Sequence, residues 1–209
     1  MKATLTASLG TLLAGDTLTA LAAYALVVTV MPGLNNLRLL SSGPNFGLRR
    51  TGWHLLGMLW GTYLMICLVG VVLGALFMAA PGVQAILRYA AGFYMLWLAS
   101  RFWRADAFPV VPGLQPVRFG EAVLFQLGNP KAWLVATAVI VGFVPADERY
   151  LERMLATALV FCLTALPGIV LWSMHRARLQ AWMHTPSHLR RLQHGMAAIT
   201  TAAAFLFWT

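Results

Sequence analysis

Residues 52–79 read GWHLLGMLWGTYLMICLVGVVLGALFMA, twenty-eight positions without one Asp, Glu, Lys or Arg. At 1.5 Å of rise per helical residue the run extends about 42 Å, more than the roughly 30 Å of a bilayer's hydrocarbon layer. A helix on the surface of a soluble domain keeps one polar face. Here the strongly polar side chains shrink to His54 and Thr62, so the run predicts a membrane-spanning helix. The rest of the chain shares this character. Its 209 residues are 60% hydrophobic and only 10% charged, against about 25% charged in an ordinary soluble domain. The mean hydropathy of +0.74 agrees.

Working outward from that run, cuts at charges, Pro and Gly leave six apolar segments. They cover about 17–40, 52–79, 83–103, 119–144, 150–174 and 189 to the C-terminus. The only plausible linker is the polar stretch from Arg104 to Arg118, with Pro109, Pro112, Gly113 and Pro116. The expected fold is therefore an all-α integral membrane protein of six transmembrane helices, arranged as two three-helix repeats, 1–103 and 119–209, around a 104–118 linker. Three spans per repeat is an odd number, so the second repeat enters the membrane inverted relative to the first. Lys2 alone precedes the first apolar stretch, which reads as a first span rather than a cleaved signal peptide.

The formal charge of +9 could attract a polyanion, but the Arg residues sit in short loops between apolar runs, where they set topology. No nucleic-acid partner is expected. Ten of the cations (Arg38, Arg49, Arg50, Arg101, Arg104, Arg118, Arg176, Arg178, Arg190 and Arg191) fall on one side of the six-span arrangement, and four (Lys2, Arg88, Arg149 and Arg153) on the other. Because cations are retained in the cytoplasm, both termini are expected outside and the 104–118 linker inside.

Two spans carry the same kind of interruption: Pro32-Gly33-Leu34-Asn35-Asn36 in the first and Gly128-Asn129-Pro130-Lys131 in the fourth, their prolines 98 positions apart. Proline removes a backbone donor and clashes with the preceding turn, freeing polar groups that lipid cannot satisfy. Such breaks belong against protein or a water-filled cavity, and a pair of them in corresponding positions of two halves points to a transporter's substrate site. Pro32, Gly33, Asn35, Asn36, Asn129, Pro130 and Lys131 are accordingly the candidate substrate-binding residues. Asn amides both donate and accept, which suits a ligand carrying ammonium and carboxylate. The competing reading makes both prolines packing kinks. Lys131 likewise has two readings, a partner for a substrate carboxylate or for proton coupling, and a cation snorkelling to the interface.

Other features carry less chemistry. Gly57 with Gly61, and Gly70 with Gly74, lie on roughly opposite faces of the second span, so that span is expected to pack against a neighbour on each side. His54 reads as a solvated or capping residue near a helix end, Glu121 as interfacial. Cys67 and Cys162 read as packing residues. His175, His184, His188 and His194 lack acidic or Cys partners at ligand spacing, so no metal is expected, and no cofactor motif is present.

Pro32-Gly33-Leu34-Asn35-Asn36-Leu37, Leu40-Ser-Ser-Gly43, Phe46-Gly47, the Gly57/Gly61 pair, Gly92 with Tyr94 and Trp97-Leu98, and Phe125-Gln126 followed by Asn129-Pro130-Lys131 together resemble the LysE/RhtB family of amino-acid exporters. That resemblance covers about residues 17–145, with features closest to the cysteine/O-acetylserine exporter branch. It implies export of small amino acids or close derivatives, coupled to protons, across the bacterial inner membrane. Leu34 stands where the family has a second proline, leaving the first break less rigid. Six short helices enclose little space, so a homodimer is expected. Two rival classes stay open: a helper or receptor subunit that binds a partner through its Gly faces, and a membrane enzyme, for which no GxSxG, HExxH or paired intramembrane carboxylates are found.

Overall fold

A computed structural model describes residues 15–30, 47–80, 82–104, 118–174 and 185–205. Every regular element among them is a helix: α1 (Gly15–Val30), α2 (Gly47–Ala79), α3 (Gly82–Arg104), α4 (Phe119–Leu127), α5 (Pro130–Phe143), α6 (Tyr150–Met174) and α7 (Pro186–Phe205). Among the described residues two stretches are long and apolar enough to cross a membrane, Thr51–Ala79 and Tyr150–Trp172, and the bent pair α4–α5 qualifies when taken together. Thr17–Val30 is apolar but shorter. The chain is thus a helical membrane protein.

Lipid, not water, is the solvent that makes sense of α2. Trp53, Leu56, Trp60, Leu64, Leu68 and Val71 are all exposed and recur every three or four residues, forming one apolar stripe over residues 53–71. A patch of that extent in water would be an aggregation site. The opposite side is buried and built for close approach. A Cβ on Gly57 would lie 2.5 Å from the Phe119 carbonyl oxygen, and one on Gly61 would lie 2.7 Å from Gln126 Cγ, so these two glycines seat α4. A Cβ on Gly70 would strike Met154, and one on Gly74 would strike Tyr150, so the second pair seats α6. The Tyr150 hydroxyl donates to the Gly70 carbonyl at 2.7 Å, closing that contact. Each GxxxG face has the neighbour expected of it.

These contacts also fix directions. Gly57 meets Phe119 and Gly61 meets Gln126, so α2 and α4 run the same way; Gly70 meets Met154 and Gly74 meets Tyr150, so α2 and α6 run oppositely. Tyr24 stacks at a tilt on Phe161 (centroids 6.2 Å apart), and the Trp172 indole donates to the Val30 carbonyl at 3.1 Å, which lays α1 parallel to α6. A Cβ on Gly168 would strike Thr29 Oγ1, so the Pro167-Gly168 step lets α6 approach the end of α1. α3 packs chiefly on α7, with Trp103 stacked on His194.

Two readings of single residues are decided here. His54 is buried on the α2 side that faces its neighbours, which corrects its assignment as solvated. Glu121 is exposed and accepts the Arg118 backbone N–H at 2.9 Å, an N-terminal cap for α4, in keeping with an interfacial role. Cys67 and Cys162 are free thiols, the second buried.

Candidate functional site

The helical run from 119 to 143 is broken where the sequence places the break. α4 ends at Leu127, Gly128 follows with near-helical angles, and Asn129 then turns extended (φ −97°, ψ 107°) before α5 begins at Pro130. A residue preceding proline is driven out of the helical region by the pyrrolidine ring, while proline itself is well suited to the first position of a new helix. Pro130 therefore ends one helix and starts another in a single step, and the two are bent by 71°. Asn129 secures the restart: its side-chain oxygen accepts the Lys131 backbone N–H at 3.1 Å.

Lys131 reaches toward α1. Its Nζ donates to the Val28 carbonyl at 2.8 Å, so a cation from the second half of the chain sits on the last turn of α1, the negative end of that helix dipole. Pro32, Gly33, Asn35 and Asn36 lie outside the described residues. Two and four residues before the first of them, α1 is held from the other half, with Trp172 on Val30 and Lys131 on Val28.

Beside Lys131 lies a cavity of about 70 Å³, room for about five waters at the ~10–15 Å³ each requires. Thr29, Thr62, Gln126, Asn129 and Lys131 are its polar lining; Val28, Met58, Val135, Phe161 and Ile169 contribute apolar walls. The structure thus brings Asn129 and Lys131 together at one cavity and adds two residues that sequence reasoning did not single out as a site. Gln126 is only 3% exposed. Its Nε2 donates to the Met58 carbonyl (3.2 Å) and to Thr62 Oγ1 (2.9 Å), and the Thr62 hydroxyl donates to Met58 as well (2.8 Å). The signal for Gln126 was present, a carboxamide within an otherwise apolar run; nothing distinguishes Thr62 from the threonines that commonly bond back to their own helix.

A bundle of apolar helices with a polar cavity beside a broken one is the arrangement of a membrane transport protein. The sequence comparisons say which kind. The chain belongs to the LysE type translocator family, whose model matches residues 26–209, and as a translocator it is not an enzyme. It is 26% identical over 188 residues to the homoserine/homoserine lactone efflux protein of Salmonella typhi, covering 85% of this chain and 90% of that one. It is 27% identical over 154 residues to the cysteine/O-acetylserine efflux protein of Escherichia coli strain K12, covering 72% and 77%. No solved structure matches.

Proposed function

We propose that the protein exports small amino acids from a bacterial cytoplasm through the cavity between α1, α2, α4, α5 and α6, as a secondary transporter of the inner membrane. The carrying observation is Lys131 with Asn129 at the start of half-helix α5, lining a cavity inside an apolar bundle. A helix start with a neighbouring ammonium favours a carboxylate, because the dipole and the charge both attract an anion there. The end of α1, which already accepts a cation at Val28, offers the complementary place for a substrate ammonium. The relatives' names, which cover homoserine, cysteine and O-acetylserine efflux, support a small zwitterion.

The helix neighbours support two inverted halves. Exchanging α1 with α4–α5, α2 with α6 and α3 with α7 turns the α1–α6 contact into the α2–α5 contact and leaves the α2–α6 and α3–α7 contacts in place. In this reading protons drive the cycle and two copies form the working unit. The helper-subunit alternative loses its basis, since both Gly faces of α2 are filled by the chain's own α4 and α6.

The test is outward flux of labelled homoserine and cysteine from proteoliposomes, with and without an imposed pH gradient. Flux above protein-free vesicles is expected for at least one, and acceleration by an inwardly directed proton gradient marks coupling. Vesicles that leak no faster than controls for either would overturn the reading. On topology, a reporter fused after residue 209 is expected to be active outside and one inserted in the 104–118 linker active inside; a cytoplasmic C-terminus would remove the six-span arrangement.

A further inference from the structure

We propose that Thr62 and Gln126 form the end of the cavity that reads the substrate's side chain, and that they select amino acids whose side chain carries a hydrogen-bond donor. The inference rests on the reading of this cavity as the substrate site. Its polar lining divides between two places. Asn129 and Lys131 stand at the start of α5, where the carboxylate belongs, whereas Thr62 and Gln126 come from α2 and α4. Thr29 directs its hydroxyl to its own helix, onto the Ala25 carbonyl at 2.6 Å.

The hydrogen bonds within the Thr62–Gln126 pair determine what it can still accept. A carbonyl oxygen only accepts, so Met58 O fixes the Gln126 amide nitrogen toward α2. The Gln126 amide donates to Met58 O and Thr62 Oγ1, and the single Thr62 hydroxyl hydrogen goes to Met58 O. The Thr62 hydroxyl hydrogen is thereby spent inside the protein. Thr62 Oγ1 has two lone pairs and receives one hydrogen from Gln126, so the capacity left at Thr62 is for accepting. A hydroxyl or thiol hydrogen on the substrate side chain matches it; a methyl forgoes that hydrogen bond, so the analogue is held more weakly. Gly61 is the positioning residue for this arrangement, because its missing Cβ is the space in which Gln126 Cγ lies.

Homoserine and norvaline separate these terms, since they share chain length and differ by a hydroxyl against a methyl. In proteoliposomes the wild type is expected to move homoserine in preference. Thr62→Val, which keeps shape and deletes the acceptor, should lower the homoserine-to-norvaline ratio about fivefold or more, while Thr62→Ser should hold it near wild type. Gly61→Ala, which retains every hydrogen-bonding group but displaces Gln126, should lower the ratio too and serves if Thr62→Val does not insert. Lys131→Met should depress both fluxes together and leave the ratio in place. Equal ratios in wild type, Thr62→Val and Gly61→Ala would overturn the side-chain role with export intact. No flux of either amino acid from wild type would instead overturn the export reading on which it stands.

Discussion

Lys131→Met is expected to reduce amino-acid flux per folded protein about a hundredfold or more, from the 2–5 kcal/mol typical of removing one partner of a buried charged contact. Met keeps the length and the apolar stem, so the walls contributed by Val135 and Phe161 keep their neighbour while the ammonium that reaches Val28 is lost. Lys131→Arg should restore little, because a planar fork replaces a compact ammonium in a cavity of about 70 Å³ and a guanidinium cannot release a proton. A snorkelling cation would behave otherwise, with Arg fully active and Met mainly reducing insertion. Counterflow in proteoliposomes, normalised to inserted protein, decides; near-normal flux from Lys131→Met would end the case for this residue.

The second large effect is expected at the break. Pro130→Ala removes the ring that forces Asn129 out of the helical region, so α4 and α5 can join into one continuous helix and the 71° bend relaxes. Joining them redirects the Lys131 side chain away from α1 and takes the Asn129 cap off the α5 start, which should lower flux at least tenfold while the protein still inserts. Combined with Pro32→Ala the loss should be complete. Wild-type flux in the double variant would return both prolines to the role of packing kinks.

The positions of the described helices were legible because each follows from a local rule. Charge-free runs gave most of α2 and α6, and the Asn-Pro step gave the α4–α5 break. The opposed Gly pairs of α2 could be assigned faces from helical periodicity alone, and the neighbours they acquired, α4 and α6, match those faces. The candidate site was legible only in part. Asn129 and Lys131 announce themselves beside a proline, but the Thr62–Gln126 contact joins residues 64 positions apart and leaves no periodic trace. His54 was misjudged for the same reason: proximity to a charged segment says where a residue sits along a helix, not which way it faces, and packing buried it.

The capping of α1 by the other half has a consequence for how the chain is made. Its Val28 and Val30 carbonyls take their hydrogen bonds from Lys131 and Trp172, 103 and 142 residues later in the sequence. At the ~5–20 residues per second of synthesis, Lys131 follows Val28 by roughly 5–20 s and Trp172 follows still later. Throughout that interval α1 is in place without the side chains that complete it. The first half is therefore inserted before it is finished, and the cavity exists only after α6 has entered the bilayer.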